Sequence, residues 1–480
     1  MPSPMPIQAV RKQAEICLGL IRELESAVAQ GHPLDQYLAQ YYRQHREFGS
    51  RDRRFFSALA FAWFRWRGWL STPSQPDALN CVLAWLLDSS DMHPAIEWLA
   101  SRLPPFSPPR QALGSRPVNE KVMPQLQGGL EAVRQNGPSA DGPFYRTATT
   151  TEALCPTRLR HSPSVTEALH DKARGLGQWL KLPPPNIEAL VPSWFADALF
   201  YPTGADRNTH RHRCLQAFQA RPPTWLRTRV GRESDVLAGL QRHYATARIS
   251  PALSQAICLP NGGNREILNT MPEVEIQDLA SQCVGRICGP GTGEHWWDAC
   301  AGSGGKSFHL ADLMNNTGSI LATDTRAAIL KECRRRMIRN RIKTLTLRTW
   351  NGTHATAPDR LFDGVLVDAP CSGIGTWPRN PDARWRTAPD TIARNAGLQS
   401  DLLNVCADRV QPGGRLVYAV CTLTGAETAG VIEEFLARRS DFHLEPAPHP
   451  LTGEPTPGLV RIWPWEGDCN GMFITCLKKQ

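Results

Sequence analysis

The 480-residue sequence contains no long uninterrupted apolar segment. Its longest apolar run, Phe55–Leu70, is broken by Arg65 and Arg67. A membrane-spanning helix needs about 18 or more mostly apolar residues, so we expect no transmembrane helix. The segment Met1–Glu15 is polar and rich in proline, and it lacks the apolar core of a signal peptide. We therefore expect a cytoplasmic protein.

The cysteines lack a metal-binding pattern. None of the 14 cysteines lies in a Cys-x-x-Cys pair, so we predict no zinc site and no other bound metal. Because a large cytosolic protein keeps its thiols reduced, most of these cysteines are expected to be small buried hydrophobic side chains.

Lysine is scarce among the basic residues. The chain has 54 lysines and arginines, of which only nine are lysines, against 45 acidic residues, which gives a net charge of +9. Arginine suits bidentate contact with phosphate, so nucleic acid is a reasonable partner, although a coding bias toward arginine would give the same composition. The candidate phosphate contacts are Arg51, Arg53, Arg54, Arg211, Arg213 and Arg334–Arg336.

The chain length and the changing texture of the sequence predict several domains. At roughly 150 residues per domain, the length suggests about three. Residues 1–103 show apolar positions at helical spacing, and residues 104–184 form a linker and insertion rich in proline and glycine. Residues 185–290 are predicted to form a small mixed α/β unit, and residues 291–480 to form an α/β domain.

Strands and helices alternate in the carboxyl-terminal region. The predicted strands are His295–Cys300, Ser319–Thr323, Thr344–Thr349, Gly364–Val367 and Arg415–Cys421, and the predicted helices are Lys306–Met314, Arg326–Arg341, Thr391–Val410 and Glu427–Arg438. This alternation predicts a parallel sheet covered by helices on both faces. Ligands of such sheets bind beyond the carboxyl ends of the strands.

A glycine-rich turn joins the first strand of this region to its helix. It reads Asp298-Ala-Cys-Ala-Gly-Ser-Gly-Gly-Lys306, and Asp324 follows at the end of the next strand, 19 residues after Gly305. Glycines allow a tight turn and a close approach to a ligand, and an acid about 20 residues further on holds ribose hydroxyls in nucleoside-binding folds. The loop lacks the three-glycine dinucleotide pattern. It predicts a nucleoside cofactor site, with an ordinary strand-to-helix turn as the alternative.

Two cysteines stand at the ends of two later strands. One belongs to the segment Asp368-Ala-Pro-Cys371-Ser-Gly373, and the other is Cys421. Either cysteine alone is typical of a core residue. Together, at the shared edge of a parallel sheet, they predict covalent chemistry, because a thiolate is a strong nucleophile. The carboxyl of Asp368 can hydrogen-bond or protonate the edge of a base.

These residues resemble the S-adenosylmethionine-dependent RNA cytosine-5 methyltransferases. The glycine-rich loop is similar to that family's cofactor loop, and Asp368–Gly373 matches its Asp-Ala-Pro-Cys-Ser-Gly motif. Asp52-Arg53 before an apolar helix is similar to the NusB-like RNA-binding domain of the bacterial 16S rRNA branch. The resemblance implies a Rossmann-like methyltransferase domain at the carboxyl end and an all-α NusB-like domain at the amino end, with the small α/β unit between them.

The resemblance also implies roles for individual residues. Cys421 would add to carbon 6 of cytosine, Asp368 would bind the nitrogen-3 edge, and Cys371 would assist proton loss and enzyme release. Lys306 would orient the site or lower the pKa of Cys421, with a plain surface lysine as the alternative. The implied contacts with S-adenosylmethionine are Cys300, Ala301, Gly302, Ser303, Gly304, Gly305, Lys306, Asp324, Arg326, Asn351 and Asp368.

The sequence departs from the family pattern at four places. The family has Ala-Pro at Gly302-Ser303, Thr-Cys-Ser at Val420–Thr422, an acid at Asn351, and Glu-Asn-Glu where this chain has Glu427-Thr-Ala. The amide carbonyl of Asn351 is predicted to bind the adenine amino group in place of the acid.

Three alternatives to an rRNA methyltransferase remain open in the sequence. A non-catalytic RNA-binding or ribosome-assembly factor would not need both Cys371 and Cys421. A tRNA cytosine-5 methyltransferase would carry the same motifs. An amino-group DNA methylase would need a Pro-Pro-aromatic segment after the acid, which Asp368-Ala-Pro-Cys does not supply. The expected partner is RNA, rRNA ahead of tRNA, and the expected oligomeric state is a monomer.

Overall fold

The computed structural model describes residues 6–70, 77–89, 92–103, 164–180, 182–260, 263, 268, 270, 271 and 273–480. Most of the predicted linker and insertion at residues 104–184 lies outside the described residues. The chain divides into two compact units. Unit 1 comprises Met1–Ala196, Thr203–Ala220 and Asn380–Arg386, and unit 2 comprises Asp197–Pro202, Arg221–Arg379 and Thr387–Gln480. The division into four segments stays a prediction.

Unit 1 is helical where the structure describes it, as the sequence predicted for residues 1–103. Its helices are Ile7–Ala29, Leu34–Gln44, Ser50–Leu70, Asp77–Asp88, Pro94–Ser101, Ser164–Leu180, Arg207–Gln219 and Ala383–Arg386, with a 3₁₀ turn at Ile187–Leu190. A short helix, Phe195–Ala198, lies where the two units meet along the chain.

The interrupted apolar run of the sequence forms the helix Ser50–Leu70. Arg65 is only 3% exposed and pairs with Asp88 at 2.8 Å, while Arg67 pairs with Glu25 at 2.8 Å. A buried charge costs little when it is paired and hydrogen-bonded in this way. Among the described residues, no helix combines the length and the apolar character that crossing a membrane requires.

The smaller sheet of unit 2 is antiparallel. Its strands are β1 (Thr224–Thr228), β2 (Arg248–Ile249), β3 (Ala256–Leu259) and β4 (Val274–Ile276), in the order β2-β3-β1-β4. The helix Glu233–Gln241 lies between β1 and β2 in the chain, and Leu279–Cys288 follows β4.

The larger sheet of unit 2 has eight strands and is mostly parallel. Its strands are β5 (His295–Asp298), β6 (Ser319–Asp324), β7 (Leu345–Thr349), β8 (Phe362–Asp368), β9 (Val410–Val420), β10 (Phe442–Leu444), β13 (Leu459–Ile462) and β14 (Met472–Lys479), and Ala447–Pro448 (β11) pairs separately with Pro455–Thr456 (β12). The order is β10-β14-β9-β8-β5-β6-β7, with β13 on β14. Strands β5 to β9 are parallel, which confirms the predicted Rossmann-like methyltransferase fold.

Helices connect the parallel strands, and both faces of the sheet are buried. The helices are Gly305–Leu313, Ala327–Arg339, Ala383–Arg386, Pro389–Ala407 and Val431–Arg438, of which Ala383–Arg386 belongs to unit 1. The neighbouring residues Trp296 and Trp297 are both fully buried and belong to different core clusters. Successive side chains of a strand point to opposite faces, so a strand with two covered faces is apolar throughout.

The structure corrects two details of the predicted elements. The predicted helix Thr391–Val410 ends at Ala407, and Val410 is instead the buried first residue of β9. The predicted helix Glu427–Arg438 opens with a π-helical turn, Ala426–Gly430. The antiparallel strands β10, β13 and β14 extend the parallel sheet. Their pairing joins residues distant in sequence, which hydrophobic periodicity alone does not reveal.

Candidate active site

Two cysteines meet at the carboxyl edge of the larger sheet. Strands β8 and β9 are adjacent and parallel, with Asp368 in register with Ala419. Cys371 lies three residues after Asp368, and Cys421 lies two residues after Ala419. Both cysteines therefore lie at the same edge of the sheet. Their Sγ atoms are 3.4 Å apart, and both residues are half-buried. The structure thus brings together the two thiols that the sequence singled out.

An ion pair lies beside the thiols. Lys306 Nζ, at the start of the helix after the glycine-rich loop, donates a hydrogen bond of 2.7 Å to Asp368 Oδ2. The side chains are 13% and 28% exposed, respectively. Burial lowers the pKa of Lys306, but the charge and hydrogen bond of Asp368 raise it overall. Lys306 therefore stays a cation within this site and is more than a plain surface lysine.

The two thiols differ in acidity. The hydrogen bond with Cys371 lowers the pKa of Cys421; burial and the charge of Asp368 oppose this, and the charge of Lys306 supports it. The same hydrogen bond, together with burial, raises the pKa of Cys371 well above its ordinary value. The charge of Lys306 thus favours a thiolate at Cys421, and the charge of Glu427 disfavours one at Cys371.

The glycine-rich loop has a backbone that side chains disfavour. Gly302 and Gly304 have positive φ angles of +55° and +90°. A Cβ atom on Gly304 would lie 2.6 Å from Cys333 Sγ and 2.6 Å from the ring of Phe308. The loop also binds the predicted acid directly, because the backbone N–H of Gly302 donates to Asp324 Oδ2 at 3.0 Å.

We expect Gly304→Ala to destabilise unit 2. The positive φ costs about 1–2 kcal/mol for a residue with a Cβ atom, and overpacking adds roughly 1–3 kcal/mol. The matched control is Gly305→Ala, because a Cβ atom there meets nothing within 4 Å. Thermal unfolding of the full chain should show a midpoint lowered by several degrees for Gly304→Ala alone. Equal midpoints for the two variants would contradict this reading of the loop.

The predicted ribose-binding acid is held by its neighbour. Arg326 donates to both carboxylate oxygens of Asp324, at 2.9 and 3.0 Å. Burial raises the pKa of Asp324, but the hydrogen bonds from Arg326 and Gly302 lower it overall, so the group stays charged. The Arg326 side chain is 68% exposed. It can therefore turn into solvent at little cost and leave the carboxylate to accept hydroxyl groups.

Two other predicted cofactor contacts, Cys300 and Ala301, also lie in the glycine-rich loop. Cys300 is half-buried, and burial raises its pKa, so it remains a thiol. The backbone N–H of Ala301 donates to the carbonyl of Thr323 at 2.8 Å, which fixes the loop against β6.

Asn351 follows β7 and is exposed. Its side-chain oxygen accepts hydrogen bonds from the backbone N–H of Thr353, at 3.1 Å, and from the hydroxyls of Thr353 and Thr356. The predicted adenine contact stays a prediction, and it would compete with these three donors.

Arg336 has a different place from the one the sequence suggested. It was grouped with Arg334 and Arg335 as a phosphate contact, but it donates to the carbonyl of Ser303 at 2.9 Å and to the Ser303 hydroxyl at 2.6 Å. It also pairs with the buried carboxylate of Glu275. Arg336 therefore anchors the glycine-rich loop, whereas Arg334 is exposed.

The remaining arginine candidates lie in unit 1. Arg51 and Arg54 are exposed and available to a phosphate. Arg53 donates to the carbonyl of Phe48 at 2.8 Å, and Arg211 pairs with Glu188 at 2.9 Å.

Sequence reasoning missed two buried carboxyl groups of the site. Asp298, at the end of β5, is fully buried; its Oδ2 accepts from the Ser307 hydroxyl at 2.6 Å, and burial raises its pKa to about 7. Glu427 is also fully buried and contacts the residues that follow both cysteines. Asp298 begins the glycine-rich segment and Glu427 follows Cys421 by six residues, but the burial of both acids depends on long-range packing. Within the described residues, no cluster of three or more His, Cys, Asp or Glu side chains could hold a metal ion.

Solved structures share this fold. The crystal structure of PH0851 superposes with a TM-score of 0.67 over 99% of this chain and 100% of that one, at 20% identity. The structure of NSun6 from Pyrococcus horikoshii with SFG gives a TM-score of 0.51 over 60% of this chain and 98% of that one, at 16% identity. At these identities the similarity establishes the fold.

Sequence relatives carry the assignment further. The chain is 39% identical over 212 residues to the probable ribosomal RNA small subunit methyltransferase B of Synechocystis, and it is 35% identical over 215 residues to that of Bacillus subtilis. These matches span 42% and 43% of this chain and about half of each relative, 47% and 48%. The match to ribosomal RNA small subunit methyltransferase B of Salmonella paratyphi A is 31% identical over 304 residues, which is 61% of this chain and 67% of the relative.

The family described as 16S rRNA methyltransferase RsmB/F matches residues 286–478, which include both cysteines of the site and the larger sheet except Lys479, the last residue of β14. With this match, the Salmonella relative and the parallel sheet that carries the paired thiols, the chain belongs to the RsmB/F family of 16S rRNA methyltransferases.

Proposed function

We propose that this protein transfers a methyl group from S-adenosylmethionine to carbon 5 of a cytosine in 16S rRNA, through a covalent bond to Cys421. The observation that carries the proposal is the pair of Sγ atoms, Cys371 and Cys421, 3.4 Å apart beside the Lys306–Asp368 ion pair. Methyl transfer to a nitrogen or oxygen needs no such pair, because those atoms are nucleophiles already, whereas carbon 5 of cytosine is not.

The residues present fit S-adenosylmethionine. Gly302 and Gly304 carry no side chain, so a ligand can approach the backbone of the turn closely. Asp324 keeps a charged carboxylate at the end of β6 for ribose hydroxyls. Together with Cys300, Ala301, Ser303, Gly305 and Asn351, these residues are the proposed contacts. When it is bound, S-adenosylmethionine supplies an electrophilic methyl group.

Cys421 starts the reaction that we propose. Its thiolate forms a bond to carbon 6 of cytosine, and the electron pair of the carbon 5–carbon 6 double bond becomes available at carbon 5. The Asp368 carboxylate holds the nitrogen-3 edge of the ring by accepting a hydrogen bond from the amino group next to nitrogen 3. Lys306 orients the Asp368 carboxylate through the 2.7 Å hydrogen bond and favours the thiolate form of Cys421.

Cys371 finishes the reaction. While Cys421 is free, its hydrogen bond keeps the pKa of Cys371 high. Once Cys421 is bonded to the ring it carries no negative charge, so that constraint on Cys371 is removed. Cys371 can then help to take the carbon-5 proton, and the electrons of that C–H bond restore the ring double bond and expel Cys421.

The target base must leave its stack, because Cys421 reaches carbon 6 from the face of the ring. We infer a single-stranded or flipped cytosine, with phosphate contacts from exposed arginines such as Arg51, Arg54 and Arg334.

Ribosomal RNA as the substrate implies a cytoplasmic protein.

The test is methyl transfer to defined RNAs. The purified protein is incubated with methyl-labelled S-adenosylmethionine and either 16S rRNA or total tRNA, and modified cytosines are mapped by bisulfite sequencing. We expect label in 16S rRNA at one or a few cytosines. Label only in tRNA would favour the tRNA alternative. No label, together with no cofactor binding by calorimetry, would favour a non-catalytic RNA-binding factor.

A further inference from the structure

A single buried carboxylate joins the two loops that carry the thiols. Glu427 is fully buried, and its Oε1 accepts hydrogen bonds from the backbone N–H of Ser372 at 2.8 Å and from Gln399 Nε2 at 3.2 Å. Its Oε2 accepts from the hydroxyls of Ser372 at 2.5 Å and Thr424 at 3.0 Å. No lysine or arginine pairs with Glu427 in the described part of the chain, so these donors satisfy the group.

The residues that Glu427 holds are the immediate neighbours of the thiols. Ser372 follows Cys371, and Thr422 follows Cys421. The two hydroxyls are 2.7 Å apart, and Thr422 Oγ1 is 3.3 Å from Glu427 Oε2. Each hydroxyl has one proton, so the shorter distances favour a chain in which Thr422 donates to Ser372 and Ser372 donates to Glu427.

Gln399 secures the other side of Cys371. Its Nε2 donates to the carbonyl of Pro370 at 2.8 Å as well as to Glu427, and its side-chain oxygen lies 3.0 Å from the Tyr418 hydroxyl. Cys371 therefore stands between two anchored residues. The backbone is held on both sides of Cys371, at Pro370 by Gln399 and at Ser372 by Glu427.

The local backbone explains how Glu427 reaches both loops. Glu427 lies in the π-helical turn Ala426–Gly430, which precedes the helix Val431–Arg438. A π turn inserts one extra residue into a helix and is frequent at functional sites. Here the turn directs the Glu427 carboxylate toward the loops that follow β8 and β9.

We propose that Glu427 is a positioning residue that sets the distance between the Cys371 and Cys421 sulfur atoms. Its carboxylate binds Ser372 and Thr424 directly and Thr422 through the Ser372 hydroxyl. This proposal deepens the proposed function and rests on it for its catalytic consequence. A misplacement of about 1 Å between reacting groups can cost roughly 100-fold in rate. A carboxylate shared by both loops prevents such a drift, since neither loop can move without breaking a buried hydrogen bond.

The expected effects distinguish two substitutions. In Glu427→Gln, the amide oxygen can still accept from Ser372 N–H and Gln399, and the amide N–H groups can donate to hydroxyls that rotate. In Glu427→Leu, every hydrogen bond to the carboxylate is lost, and the two loops are held together less firmly, by the contact between the Ser372 and Thr422 hydroxyls and by the bond from Gly375 N–H to the Cys421 carbonyl. We expect about 100-fold lower kcat for Glu427→Leu with an unchanged KM for S-adenosylmethionine, and near wild-type kinetics for Glu427→Gln. The exposed neighbour gives the control Glu433→Leu, which should match wild type.

Alkylation of Cys421 as a function of pH tests the spacing without any RNA. Cys371 and Asp368, from the end of β8, and Lys306 face Cys421. If the sulfurs separate, Cys421 loses the hydrogen bond that lowers its pKa, so alkylation by iodoacetamide shifts to higher pH in Glu427→Leu and not in Glu427→Gln. This measurement needs no methyl transfer, so it can contradict the positioning role of Glu427 independently of the proposed methyltransferase activity.

An unshifted alkylation profile in folded Glu427→Leu would overturn the proposal, and so would a Glu427→Gln variant that behaves like Glu427→Leu. If Glu427→Leu does not fold, the double variant Ser372→Ala/Thr422→Val removes the hydroxyl chain and leaves the carboxylate with Ser372 N–H, Gln399 and Thr424. We expect a smaller upward shift of the alkylation profile in that variant. An unchanged profile there would equally overturn the assignment.

Discussion

Cys421→Ala should abolish methyl transfer, with a loss of roughly a thousandfold or more in kcat. Without the sulfur at this position, carbon 6 has no nucleophile and carbon 5 stays unreactive. Cys371 does not take over, because its sulfur lies in the other loop, after β8, and burial still raises its pKa when the hydrogen bond with Cys421 is gone. The measurement is incorporation of labelled methyl groups into 16S rRNA under single-turnover conditions.

The control for this variant is cofactor affinity. Cys421 follows β9, whereas the glycine-rich loop follows β5, so calorimetry should give the same dissociation constant for S-adenosylmethionine in wild type and in Cys421→Ala. Cys421→Ser should lose activity to a similar degree, because a serine hydroxyl is a far weaker nucleophile than a thiolate at neutral pH. Methyl incorporation at a near wild-type rate in either variant would refute the assignment of the nucleophile.

Cys371→Ala should trap the protein on its RNA. The variant retains Cys421, so the bond to carbon 6 still forms, but the group that assists its release is gone. We expect a covalent protein–RNA band on a denaturing gel that depends on added S-adenosylmethionine, together with a turnover rate lowered by at least about 100-fold.

A double variant gives the matched control for the trapped species. Cys371→Ala/Cys421→Ala should show no shifted band, because the bonding sulfur itself is absent. A verified RNA substrate that gives no cofactor-dependent band with Cys371→Ala would count against a release role. A band that persists in the double variant would show that the RNA is bonded to another residue.

Much of the site followed from the sequence because its motifs sit where strands end. Two apolar strands end at Asp368 and Cys371 and at Cys421. Because neighbouring parallel strands end at the same edge of a sheet, the proximity of these residues could be predicted from the sequence. The glycine-rich loop could also be predicted as a tight turn. The structure shows the reason at Gly304, where only glycine suits the positive φ beside the packed ring of Phe308.

Packing decided the supporting residues. The sequence makes Arg336 a candidate phosphate contact together with Arg334 and Arg335, yet Arg336 binds Ser303 and Glu275. The predicted helix from Glu427 began with a π turn that aimed the carboxylate at both thiol loops. A one-dimensional pattern does not show which side of a helix meets which loop.

The sequence by itself determined the parallel sheet, the glycine-rich turn after β5 and the two thiols after β8 and β9, because strand periodicity, glycine geometry and residue identity are local properties. Only the tertiary structure decided the 3.4 Å between the sulfurs, the unequal acidity of Cys421 and Cys371, and the buried carboxylate that holds both loops. The physical reason is that burial and hydrogen-bond partners come from residues far apart in the chain, such as Ser372 and Glu427, whose meeting no local pattern encodes.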